Sequence, residues 1–212
     1  MGGVIADVLT LRRRYNGSYN AAEADEINNL LTAQGMPPYT DIVRRGKGWS
    51  VQTATAFAPG VAQPSTVAKL EVKNNTTQLF VIDRVWAQQL LSTAADQAYS
   101  VWAQVGAAVV SAVTALVVYP MNGVGKYTSV LGGDLITAID QTVVANGWQP
   151  FATQEWGLAA ATPGGTLIGN VEGRLVVPPG LAVHVMVEGS IATASSFHCG
   201  VSGFFYAGTN ET

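Results

Sequence analysis

The stretch VVPPGLAVHVMVEGS, Val176 to Ser190, sets a histidine, a methionine and a glutamate at alternate positions of a strand-like run. Leu181, Val183, Val185 and Val187 take one parity, and Ala182, His184, Met186 and Glu188 take the other. Alternate residues of a strand point to the same side, so an imidazole and a carboxylate share a face. That pairing is the start of a metal site. It is also compatible with a hydrogen-bonded histidine on a packed or subunit-facing strand. Met186 stands where a second imidazole would complete the ligand set, and a thioether is a poor ligand for hard or borderline metals.

Pro179, Gly180, His184 and Glu188 resemble the spacing of metal-binding cupins, small β-barrels that carry two histidines one residue apart and then a glutamate. The second histidine is missing, no HxxxN-like partner motif follows, and His198 is the only other histidine. A cupin-like metal-dependent enzyme is therefore the minor expectation, and no metal ligand or cofactor is assigned. Other chemical motifs fail in similar ways. In GVGKYTS, Gly123 to Ser129, Pro120 replaces the first glycine of a phosphate-binding loop and Tyr127 replaces the magnesium-binding hydroxyl, so a glycine-rich hairpin loop is expected. GVSG, Gly200 to Gly203, is one residue short of a nucleophile elbow. Asp134, Asp140, Glu155 and Glu172 stand singly, with no spacing that aims two carboxylates at one bond. No catalytic residue is assigned, and the chain is expected not to be an enzyme.

Only 12% of the 212 residues are charged, against about a quarter in an average soluble domain, while 48% are hydrophobic. Such a surface suggests subunit interfaces. Residues 1–50 hold six of the 11 basic side chains and five of the 14 acidic ones. A net charge of −3 disfavours a protein built to grip nucleic acid, and Arg12, Arg13 and Arg14, the only basic triplet, read as a partner-facing arm. One cysteine excludes an internal disulfide framework. The N-terminus lacks a signal-peptide pattern. The uncharged run between Asp96 and Lys126 is rich in β-branched residues and lacks flanking basic residues, so it is read as a pair of buried strands rather than a membrane span.

Those features must be positioned by strands. Segments such as TVAKLEVKN, QLFVIDRVWAQQLL, QAYSVWAQVG, TLIGNVEGRLVV, LAVHVMVEG and SSFHCGVSGFFYAG are separated by turn-rich pieces, which predicts an all-β sandwich or barrel over residues 49–212. One short helix is predicted at about 20–35: Asn20 and Glu23 make a capping-box-like start, and Gly35, Pro37 and Pro38 stop it. Its narrow stripe of Ile27, Leu30 and Leu31 must dock on something else. Residues 1–48 are thus read as an arm, with Thr40 to Lys47 irregular. The stretch from Val130 to Thr162 reads as a long loop whose Trp148, Phe151 and Trp156 anchor it or form an exposed platform.

The arm, the low-charge body, GRLVVPPGLAVHVMVEG and the last strand FHCGVSGFFYAG together resemble the jelly-roll proteins of tailed-bacteriophage virions, over Ala161 to Gly208. The resemblance implies a jelly-roll-like β-sandwich and a structural role. It implies a homotrimeric decoration or cement protein, made in the host cytoplasm, that binds the major capsid protein on the outside of the head. No nucleic acid or membrane partner is implied. Ile27, Leu30, Leu31, Arg12, Arg13, Arg14, His184, Met186 and Glu188 are then the expected interface residues. A receptor- or glycan-binding fibre or spike module is the alternative role for the same fold.

Overall fold

In the computed structural model the described residues are 23–24, 30–31, 39–61, 65–91, 96–108, 114, 116–123, 127–128, 134–157, 165–190 and 195–206. The chain divides into two compact units, residues 1–40 and 41–212. In the first, β1 (Glu23–Ala24) pairs antiparallel with β2 (Leu30–Leu31). These residues were expected in a helix over about 20–35, and they are strand instead. An isolated helix of about 15 residues is marginal in water without a broad apolar face to bury. Ile27, Arg12, Arg13 and Arg14 lie outside the described residues. The short helix near the N-terminus is α1 (Thr40–Arg44), within the segment expected to be irregular. Gly46, at a φ of 71°, closes the turn after it, where its amide donates to the Val43 carbonyl.

Beyond α1 the chain is strands: β3 (Gly48–Gln52), β4 (Val67–Ala68), β5 (Leu70–Asn74), β6 (Leu79–Leu91), β7 (Asp96–Ala107), β8 (Val117–Pro120), β9 (Tyr127–Thr128), β10 (Leu135–Ala138), β11 (Gln141–Thr142), β12 (Gln149–Gly157), β13 (Thr166–Val177), β14 (Leu181–Gly189) and β15 (Ser196–Tyr206). One sheet runs β10-β5-β14-β7-β12 and the other β13-β6-β15-β3-β8-β9, with every pairing antiparallel. If β3, β5, β6, β7, β12, β13, β14 and β15 are counted 1 to 8, the sheets read 2-7-4-5 and 6-3-8-1. Successive strands switch sheets except at the β7–β12 pair, in the order of two interlocked Greek keys, which is the jelly-roll topology. The all-β sandwich expected from the strand pattern is therefore present. The stretch read as a loop from Val130 to Thr162 contains β10, β11 and β12. The glycine-rich GVGK segment joins the hairpin β8–β9. No helix among the described residues is long and apolar enough to cross a membrane.

The core lies between the sheets and follows the two-residue period. Leu70, Val72, Tyr99, Val101, Ala103, Val183, Val185 and Val187 come from one sheet; Phe80, Ile82, Val85, Ala87, Phe197, Cys199, Val201 and Phe205 come from the other. Tyr99 and Phe197 meet across the gap with ring centroids 4.8 Å apart, and the Tyr99 hydroxyl hydrogen-bonds Ser195 Oγ at 2.8 Å. Asn74, fully buried, ties the β5–β6 turn to β13: its Nδ2 donates to the carbonyls of Gln78 and Val177, and its Oδ1 accepts from Thr76. The Pro178–Pro179–Gly180 turn between β13 and β14 ends on Gly180 at a φ of 83°, and the Gly180 amide donates to Asn74.

Edge strand β13 is interrupted between Asn170 and Leu175, where the pairing with β6 shifts register. Glu172 and Gly173 take φ of 53° and 76°, and Arg174 turns back to donate to the carbonyls of Asn170 and Val171. On the outward side of the same sheet Trp86 lies across Gly200, where a Cβ would collide with its indole. Gly203 is tighter still, because its Cβ would strike the Val81 carbonyl oxygen, a backbone atom that cannot swing away. We expect Gly203→Ala to lose about 2 kcal/mol or more of unfolding free energy. Urea denaturation checks this, and a change within about 0.5 kcal/mol would contradict the close strand approach.

Candidate functional site

β14 sits in the middle of its sheet, between β5 and β7, so both faces need cover. Val183, Val185 and Val187 face the sandwich core. The opposite parity, Ala182, His184, Met186 and Glu188, is also buried, with the last three only 1%, 4% and 3% exposed. The cover comes from the chain itself. The β4–β11 ribbon and the segment leading into β12 lie along one part of this face, and residues 57–61 lie along another. His184, Met186 and Glu188 were expected to meet a neighbouring subunit; in the folded chain they have almost no surface left to offer one.

The register sets a polar row across this face. His184 stands opposite Glu71 on β5 and opposite Gln104 on β7. His184 Nε2 and Glu71 Oε2 are 2.9 Å apart and both side chains are buried. With the carboxylate accepting, Nε2 carries the proton of this hydrogen bond. Nδ1 is sealed and has no hydrogen-bond partner. Gln104 Nε2 donates to the Val144 carbonyl at 3.1 Å and so pins the covering segment. A cleft of about 360 Å³ lies above this row, walled by Gln104, Gly106, Thr142, Val143, Val144 and Asn146.

The other end of the face is built around Glu188. The segment after β3 starts beside one sheet: Thr53 N donates to Cys199 O, and Phe57 exchanges two backbone hydrogen bonds with Phe197. It ends beside the other sheet, where Gly60 N donates to Val187 O at 2.9 Å and Gly189 N donates to Gly60 O at 2.7 Å. Gly60 rests directly on the Glu188 carboxyl and the Met186 methyl, with no room for a Cβ. Both Glu188 carboxyl oxygens are buried without a hydrogen-bond partner. Burial pushes this carboxyl up from 4.5 to about 7, with the nearby Ser65 hydroxyl acting in the opposite direction. The Ser65 hydroxyl also donates to the Val67 carbonyl at 2.9 Å. A second cleft, of about 480 Å³, opens beside it between Ala58, Ser65, Lys69 and Met186.

Among the described residues no group of three His, Cys, Asp or Glu is placed to hold a metal ion. His198 lies on β15 in the other sheet, with its Nδ1 3.1 Å from Thr53 Oγ1. The Cys199 thiol is buried and its pKa is raised far above the ordinary range by desolvation, which disfavours the nucleophilic thiolate. Of the aromatic candidates, Trp148 Nε1 donates to the Ser65 carbonyl at 2.7 Å. Phe151 packs against Gly169 with the Arg174 guanidinium 5.7 Å from its ring centroid. The Trp156 side chain lies outside the described residues. Glu71, Gln104 and Gly60 were not singled out from the sequence. Glu71 breaks the apolar run of LEVKN, and the register with β14, over a hundred residues away, sets it opposite His184. A scan against protein-family models finds no match to the chain, and a search of curated proteins finds none.

Replacing one member of the Glu71–His184 pair with leucine should cost about 3–5 kcal/mol, because the other stays buried and loses the hydrogen bond between them. The double replacement should cost clearly less than the sum of the two. A double-mutant cycle by chemical denaturation measures this; additivity within about 0.5 kcal/mol would show that the two groups do not depend on each other.

Proposed function

We propose that the chain is a structural virion protein: a homotrimeric decoration or cement protein that binds the major capsid protein on the exterior of a bacteriophage head and stabilises it. The observation that carries this reading is the outward face of the six-stranded sheet. There Ile168 and Val176 of β13 are 53% and 38% exposed, Trp86 lies over Gly200 beside them, and Tyr119 is exposed on β8. Apolar side chains exposed on the outward face of a sheet favour association, and the chain has few charges to oppose it. The jelly-roll topology supports the reading by analogy, since that fold recurs in capsid proteins but also serves lectins and enzymes. Because the outer face of β14 is filled by the chain itself, the self-contact is assigned to the six-stranded sheet.

Two measurements test the proposal. Sedimentation equilibrium of the full chain is expected to give three times the 22.1 kDa protomer mass, and Ile168→Lys is expected to raise the dissociation constant by about tenfold or more with the fold intact. Removal of residues 1–38 is expected to leave the assembly folded but unable to co-sediment with phage heads. A monomer at micromolar concentration would overturn the trimer, and unchanged head binding by the truncated chain would overturn the role of the arm.

A further inference from the structure

A carboxyl group sealed from water with neither oxygen hydrogen-bonded is an unfavourable arrangement, and Glu188 is in that state with one short segment of chain lying against it. Phe57–Val61 crosses from the β15 side of the sandwich to the β14 side, and its hold on β14 consists of the two hydrogen bonds that bracket Gly60. Gly60 closes directly over the carboxyl. Beside it the chain leaves an open cleft of about 480 Å³, so the segment has space to move into and water has a route to follow.

We propose that Phe57–Val61 is a pH-gated strap that lies over Glu188 while its carboxyl is protonated and lifts from β14 when the carboxylate forms and takes up water. The charged surroundings permit this. Residues 57–61 carry no charge. On the β5 side Lys69 lines the same cleft, but its ammonium is paired with Asp140 and sits 5.8 Å from the Phe57 ring centroid. Glu71 is engaged with His184 two residues along the face, and β7 places Ser100 opposite Glu188. Among the described residues, then, no cation is committed to Glu188. An ionised Glu188 has water as its natural partner, and Gly60, resting on the carboxyl, stands in the way of that hydration.

The direction with pH follows from linkage. The covered carboxyl holds its proton up to about 7 and the uncovered one to about 4.5. Closure is therefore fully favoured below about 4.5, weakens steadily as the pH rises to about 7, and changes little above that. The opening equilibrium is expected to rise about tenfold or more between pH 5 and pH 8.

Amide hydrogen exchange on the full chain tests this directly, read at Gly60 and Gly189 and corrected for the intrinsic pH dependence of exchange. Protection at both amides should fall about tenfold or more from pH 5 to pH 8 in the native protein, and Glu188→Gln should stay protected at both. Equal native protection at the two pH values, or the same fall in Glu188→Gln, would overturn the strap. Should the variant fail to fold, infrared spectroscopy of the native protein decides. A protonated-carboxyl band at pH 6 that disappears by pH 8 in step with the exchange is the expected result, and no such band at pH 6 overturns it.

Discussion

The central constraint on this structure is that β14 is buried on both faces by a single chain. A strand in the middle of a sandwich sheet normally presents one face to water, so only one parity needs to be apolar. Here the second parity is Ala182, His184, Met186 and Glu188, and the chain folds the β4–β11 ribbon and the Phe57–Val61 segment over it. The consequences run outward from that choice. Glu71 and Gln104 must be polar to meet His184 and to hold the cover, Gly60 must lack a side chain, and Glu188 is left with an unsatisfied carboxyl.

Much of the sandwich was legible in the sequence because its signals are local. Alternation in LAVHVMVEG and TLIGNVEGRLVV, and the Pro178–Pro179–Gly180 turn between them, act over a few residues, and the structure follows them. The strands on either side of the glycine-rich segment near Gly123, β8 and β9, likewise pair antiparallel. The failures have physical causes too. Asn20, Gly35 and the two prolines are good helix punctuation, but the stripe between them is too narrow to sustain a helix, and Leu30–Leu31 pairs with Glu23–Ala24. Residues 130–162 carry short strands whose partners, such as β5 and β7, lie far away in the chain.

The candidate site was half legible. Its parity could be read from Leu181 to Glu188, and the missing second imidazole at Met186 argued against a metal centre. What covered the face could not be read, because a cover made by residues 57–61 and 141–148 depends on register and crossing that no local pattern encodes. A two-faced strand suggests a neighbour, and the chain supplied that neighbour itself.

The interruption in β13 bears on how growth of an assembly would end. An exposed edge strand is a template on which a foreign strand can continue the sheet, chain after chain. At Asn170 and Val171 the carbonyls that such a strand would need are already taken by the guanidinium of Arg174, and the backbone at Glu172 and Gly173 twists away from extended geometry. Contacts through the broad face of this sheet can close into a ring, whereas contacts through its rim would run on without limit. At this edge the bulge hinders the addition of a further strand.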